Sequence, residues 1–287
     1  MSATSLFANR TAVIATMHRK EQAIAPLIES ALAVKTLVPP NFNTDSFGTF
    51  TREIQRPADQ LATARLKAAA ALKLTGETLA IASEGSFGPH PQIPFVACGR
   101  ELVVLCDYQH QLEIVGEVLS TETNYQGQTV HSPQAALAFA HSIGFPEHGV
   151  VVMRASHPQP TESVAKGITA EADLVRAVTV ALEQSPERKA HVETDMRALY
   201  NPTRMAAITQ ATQALIEKAQ SPCPHCHYPG FWVVQHRPGL PCRLCQAPTL
   251  LPLSALSRCQ HCQFQQEQPF PDSVQFADPA RCFYCNP

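Results

Sequence analysis

Long apolar runs are missing from this 287-residue sequence, and no stretch approaches the roughly 20 uninterrupted apolar residues that a membrane helix needs. The N-terminal stretch MSATSLFANRTAVIATMHRKE also lacks a basic segment followed by an apolar one, so it does not read as a signal peptide. No membrane partner is expected, and the cytoplasm is the default compartment. A surplus of either charge is missing as well. Charged residues make up 16% and the net charge is -2, which gives no general pull toward nucleic acid or anionic lipid. Cysteine is almost absent from the first 220 positions, where only Cys98 and Cys106 occur, both beside apolar strands and expected to be buried.

What is present begins with the other eight cysteines, all between Cys223 and Cys285. This change in usage predicts a boundary, with an α/β domain over residues 1–220 and a cysteine-rich domain over 221–287. The eight form four knuckles: Cys223-Pro-His-Cys226, Cys242-Arg-Leu-Cys245, Cys259-Gln-His-Cys262 and Cys282-Phe-Tyr-Cys285. Thiols stay reduced in the cytoplasm, so metal explains this pattern better than disulfides. Two cysteines separated by two residues reach one ion from a single turn, and two such turns complete the tetrahedron that zinc prefers. A double zinc ribbon is expected, with two closed structural sites; iron is the alternative ion.

Sequential pairing is the simplest arrangement, with Cys223, Cys226, Cys242 and Cys245 on one ion and Cys259, Cys262, Cys282 and Cys285 on the other. Interleaved pairing is the alternative. The gap of fifteen residues before Cys242 and that of nineteen before Cys282 would each hold a hairpin, and Gly230 and Gly239 would supply turns whose amides donate to sulfur. His225, His227, His236 and His261 are bystanders if all eight cysteines ligate. Arg237, Arg243, Arg258 and Arg281 face Glu267, Asp272 and Asp278, so the domain is acidic once four thiolates surround each ion. Nucleic acid is possible but not favoured over a protein partner. Phe231, Trp232, Phe264, Phe270, Phe276, Phe283 and Tyr284 are expected mostly in the core.

Upstream, strand and helix patterns alternate. Apolar runs predict strands at Ala12–Thr16, Leu79–Ala82, Glu101–Asp107, Glu113–Leu119 and Gly149–Arg154; helical periodicity covers His18–Ala33, Gln60–Leu74, Pro133–Ile143 and Glu171–Glu183. The fold class is α/β, a mixed sheet flanked by helices. Polar residues gather where strands end. Thr16, His18, Arg19 and Lys20 follow the first strand at a helix start, where an anion is favoured. The loop Asn41–Thr51 is polar, and Arg65 and Lys67 lie in an alanine-rich helix. Ala82-Ser83-Glu84-Gly85-Ser86-Phe87-Gly88-Pro89 places a carboxylate at a strand's end, read as a turn with two glycines that allow close backbone approach. Glu193 and Asp195, two residues apart on an extended segment, suit Mg²⁺, and Arg197 and Arg204 suit phosphate; a salt-bridged connector is the alternative.

The stretches AVIATMHRKE, FGTF, ARLKAAAALKLTG and LAIASEGSFG resemble, in order and spacing, the inosine-triphosphate pyrophosphatase superfamily, including its inosine/xanthosine triphosphatase branch. The resemblance implies that Lys20 and Lys67 hold phosphates and that Glu84 binds Mg²⁺ or orients water. His18 stands where that family has asparagine, and a single Glu84 where many members have paired aspartates. The whole chain also resembles an uncharacterised bacterial family of unknown function that joins an ASEGSFGPHP-containing domain to a cysteine-rich tail. The implied activity is Mg²⁺-dependent nucleotide phosphohydrolysis, with Glu84, Lys67, Glu193 and Asp195 catalytic and Thr16, His18, Lys20 and Arg197 binding phosphate. The competing expectation is an adaptor whose zinc ribbons dock a protein or nucleic acid.

Overall fold

A computed structural model describes residues 3–48, 58–155 and 162–287. The chain divides into two compact units, Phe7–Ile216 and a second made of Glu217–Pro287 with the N-terminal residues up to Leu6. The division falls within one helix, α5 (Pro202–Gln220).

In the larger unit, β1 (Thr11–Ala15) lies between two parallel neighbours, β2 (Lys35–Leu37) and β3 (Leu79–Pro89). The antiparallel strands β4 (Ala97–Asp107) and β5 (Leu112–Ser120) complete a five-stranded mixed sheet in the order β2-β1-β3-β4-β5. Helix α1 (Glu21–Leu32) connects β1 to β2, and α2 (Gln60–Thr75) precedes β3. Asp59 caps α2 by accepting from the Ala62 amide, and Gly76 ends it in the left-handed conformation that glycine adopts without strain. Ala64, Ala68 and Ala71 are fully buried on one face of α2, and their small side chains let the helix pack against Val13, Ala80, Ala82 and Val104 of the sheet.

The same unit holds a second sheet, a correction to the single mixed sheet read from the sequence. Strands β6 (Gly127–Val130), β7 (Val150–Arg154), β8 (Glu162–Ile168) and β9 (Ala190–Thr194) run antiparallel in the order β6-β9-β7-β8. Helices α3 (Pro133–Ser142) and α4 (Glu171–Gln184) share its apolar core through Phe139, Leu174 and Val178. Local alternation identifies a strand but not its partner, and β6 pairs with β9, far along the chain.

A second correction concerns residues 83–89. They form no turn: β3 continues through them, paired residue for residue with Ala97–Val103 of β4. Strand β1 pairs with β3 only as far as Ala15 and Ala82. Beyond that point β3 has lost one neighbour, which leaves a notch at the C-terminal end of β1.

In the smaller unit, β10 (Trp232–Pro238), β11 (Pro252–Arg258) and β12 (Gln265–Pro269) form an antiparallel meander. Each gap between knuckles therefore holds one strand, not a hairpin. The aromatic residues expected in a core are not there: Phe231, Phe264 and Phe270 are half-buried, and Trp232, Phe276, Phe283 and Tyr284 are exposed. A three-stranded sheet this small has no second layer to cover them. The buried set is instead led by Cys223, Cys242, Cys259 and Cys282.

Helix α5 closes on β5 at Gly116. A Cβ there would lie 2.1 Å from the Ala211 carbonyl oxygen and 2.3 Å from the Leu215 amide. Backbone cannot yield as a side-chain tip can, so Gly116→Ala is expected to lower stability by about 1–3 kcal/mol, the usual effect of overpacking. An unchanged midpoint in chemical unfolding would contradict this packing.

Candidate functional site

The notch gathers charge from both faces of the sheet. Along the segment after β1, Thr16, His18 and Lys20 are buried while Met17 and Arg19 face solvent. Arg19 adopts a left-handed backbone (φ 57), and Lys20 then turns inward, where its Nζ donates to Ser83 Oγ at 3.1 Å. From the opposite face, Lys67 of α2 forms a buried ion pair with Glu84 of β3. Glu101 on β4 lies opposite Gly85, and Arg204 of α5 donates its Nε to Glu101 Oε1 at 2.6 Å. A Cβ at Gly85 would come within 2.2 Å of that oxygen, so glycine makes room for the pair.

These five charged groups act on one another. Burial, with the positive charges of Arg204 and Lys67 adding to it, brings the Lys20 pKa down from 10.5 to about 7. Glu84 and Glu101 oppose the shift only in part. Beside them, a hydrogen bond from His18 Nε2 at 2.9 Å holds the Asp45 carboxyl below its ordinary range, with Arg197 and Lys67 also favouring the charged form. Thr16 Oγ accepts from the His18 amide at 3.4 Å and so braces that turn.

The structure therefore brings together Thr16, His18, Lys20, Lys67 and Glu84, with Arg197 within electrostatic reach of Asp45. It does not bring Glu193 to them: Glu193 and His191 line a separate cavity with Tyr125–Gly127. Asp195 is occupied structurally. Its carboxylate accepts from Arg197 Nε, from Arg197 Nη2 at 2.6 Å and from the Gly167 amide at 3.0 Å, the salt-bridged connector that the sequence also allowed. Arg65 is turned away to an exposed pair with Glu113. Of FGTF, Phe47 and Gly48 are described; Thr49 and Phe50 lie outside the described residues, as does Thr51. Sequence reasoning missed Glu101, and it named Arg204 for phosphate without placing it on that carboxylate. The available signal was a carboxylate sharing a strand face with Val103 and Leu105, a position that normally buries an apolar side chain.

The smaller unit holds two clusters of four cysteines, each with its sulfurs within 4.8 Å of one another: Cys223, Cys226, Cys259 and Cys262, and Cys242, Cys245, Cys282 and Cys285. Pairing is thus interleaved, not sequential. The meander is the reason: β10 leaves knuckle one and β11 returns to it, with Trp232 opposite Arg258, before Cys259 follows. Cross-knuckle Sγ separations are 3.7 and 3.6 Å in one cluster and 3.8 and 3.5 Å in the other. Sulfurs bound tetrahedrally about 2.3 Å from one zinc lie about 3.8 Å apart, so the spacing fits a metal and not a disulfide.

Amides of His225, Leu244 and Cys262 donate to Cys223, Cys242 and Cys259 at 3.4–3.5 Å. His227, Gln246 and Gln263 adopt left-handed backbone directly after their knuckles, and Gly230 (φ 82) and Gly239 (φ 126) also have positive φ, but the amides that donate to sulfur lie within the knuckles. Among the described residues histidine joins neither cluster. His225 stacks on Phe264, and His261 on Tyr228.

The chain thus has two parts, an α/β unit with a buried charge group and a unit whose two cysteine clusters could hold metal ions. The chain belongs to the family described as a domain of unknown function, DUF6671, whose profile matches residues 67–287. The match begins at Lys67 and includes Glu84, Glu101, Arg204 and all eight clustered cysteines. No curated protein matches the chain.

Two measurements follow from this geometry. Serine substitution in knuckles one and three together is expected to remove one metal per chain, and in knuckles one and two to remove both; sequential pairing would give the reverse. For Lys20, the folded pKa lies below the unfolded one, so between about pH 7 and 10.5 the unfolded state holds more protons and this group adds stability as pH rises. An anion bound beside Lys20 favours the charged form. Sulfate is therefore expected to bind with proton uptake and to weaken as pH rises through 7, and Lys20→Met should bind it weakly with no such dependence. Identical pH profiles in the two proteins would refute that role.

Proposed function

We propose that the unit Phe7–Ile216 is a Mg²⁺-dependent phosphohydrolase acting on a nucleoside triphosphate or a related phosphate-bearing small molecule, and that both cysteine clusters hold structural zinc. The observation that carries the hydrolase reading is the meeting of Lys20, Lys67 and Glu84 with Arg204 and Glu101 at the end of β1. In α/β sheets ligands bind at the C-terminal ends of strands. The resemblance to the inosine-triphosphate pyrophosphatase superfamily, whose motifs supply these same lysines and this glutamate, supports the reading.

Lys20, Lys67 and Arg204 neutralise phosphate charge that builds in the transition state. Magnesium takes one or two carboxylates plus phosphate oxygens. Glu101 Oε2, buried with no hydrogen-bond partner among the described residues, and Glu84 fit that demand. When bound, the ion would polarise the phosphate and lower the pKa of a bound water. Glu84 would hold it, and Lys67, relieved of its pair with Glu84, would turn to phosphate. In the smaller unit four thiolates fill the coordination sphere of each zinc and leave no position for substrate.

A screen of nucleoside triphosphates with Mg²⁺ tests the hydrolase reading. Wild-type turnover is expected to exceed that of Glu84→Gln by about 10²-fold or more. Turnover no higher than the variant's for every nucleotide would favour the second reading, an adaptor that docks a protein partner. That reading has its own observation: Leu244, Phe283 and Tyr284, from the two knuckles that share the second cluster, are all exposed.

A further inference from the structure

We propose that a cavity beside the charge cluster takes the ring of a nucleotide whose phosphates lie against Lys20, Lys67 and Arg204. The proposal rests on the phosphohydrolase reading and extends it from the phosphate to the rest of the substrate. The cavity, about 610 Å³, is walled by Pro94–Ala97 from the β3–β4 connection, by Tyr125–Gly127 at the start of β6, and by His191 and Glu193 of β9. That volume is within the range of small-molecule sites.

Its position relative to the cluster is set by one aromatic side chain. Phe87 shares a sheet face with Ser83 and Gly85; the Arg204 guanidinium carbon lies 5.3 Å from its ring centre, and the Tyr125 ring centre lies 5.9 Å away on the cavity side. Along β3, Glu84 belongs to the cluster and Gly88 to the cavity wall, four residues or about 13 Å apart at strand spacing. This is the separation that a ribose and a chain of two or three phosphates bridge.

The lining suits a flat nitrogen heterocycle. Phe95, 89% exposed, offers an apolar face at the rim, and bases of any identity stack on such faces. Glu193 is 9% exposed, and His191 Nε2 lies 3.6 Å from its Oε2. Its carboxylate accepts N–H donors from the edge of a ring. Glu193, displaced from the chemistry that the sequence assigned to it, becomes a specificity residue.

Calorimetric titration of the full chain with a non-hydrolysable nucleoside triphosphate and with inorganic tripolyphosphate, both with Mg²⁺, tests this. The nucleotide is expected to bind at least tenfold more tightly than tripolyphosphate. Phe95→Ala, at a position exposed enough to leave folding untouched, and Glu193→Gln should each weaken the nucleotide about tenfold and leave tripolyphosphate unchanged, whereas Lys20→Met should weaken both. Equal affinity for the two probes, or cavity variants that change both alike or neither, would overturn the cavity proposal while the phosphate reading stands. Binding of neither probe would remove the phosphate reading and the cavity proposal with it.

Discussion

A charge taken out of water must find its counter-charge within the protein, and the larger unit is arranged around one place where that demand is met incompletely. Glu84 and Glu101 answer Lys67 and Arg204, but Lys20 is a fifth charged group with no carboxylate of its own among the described residues, and its pKa falls to about 7. Arg204 also donates to the Met196 carbonyl, so one guanidinium joins β4 to the segment that follows β9, and the two sheets with it. Buried ion pairs add little to net stability compared with well-packed apolar groups. Their presence at the end of β1 is what the proposed anionic ligand would need.

The elements were legible because they are periodic. The strand and helix runs around Val13, Ile24, Ala68, Val104, Val151 and Val178 carry their own burial pattern, and each needs only its near neighbours to be recognised. Partnership was not legible. Nothing local tells Gly127 to pair with Glu193 or places Arg204 on Glu101, more than a hundred positions away. Residues 83–89 misled for a related reason. Glycine and proline argue for a turn, but a strand with a partner at every residue and an ion pair crossing Gly85 makes use of the missing side chain. The Lys20, Lys67 and Glu84 group was legible from the order and spacing of the motifs that carry them; Glu193 was assigned from a spacing of two, which says which side a carboxylate takes, not what lies there.

In the smaller unit the same distinction separates ligand identity from ligand pairing. Cysteine spacing named all the sulfurs, whereas the order of strands decided which four meet. Its strands are largely exposed, and the buried positions are held mostly by cysteines and a few small or aliphatic side chains. In a sheet with so little apolar cover, bound metal would supply the free energy that a core supplies elsewhere.

Interleaving also has a bearing on how the ribbon is made. A chain synthesised from its N-terminus presents knuckles one and two before knuckle three exists, and four thiols are then available to a single ion in the sequential arrangement. The finished structure requires the opposite choice. The first native site cannot close until Cys262 has emerged, nor the second until Cys285 has. An ion captured early by knuckles one and two would have to be surrendered and rebound before both native sites could close.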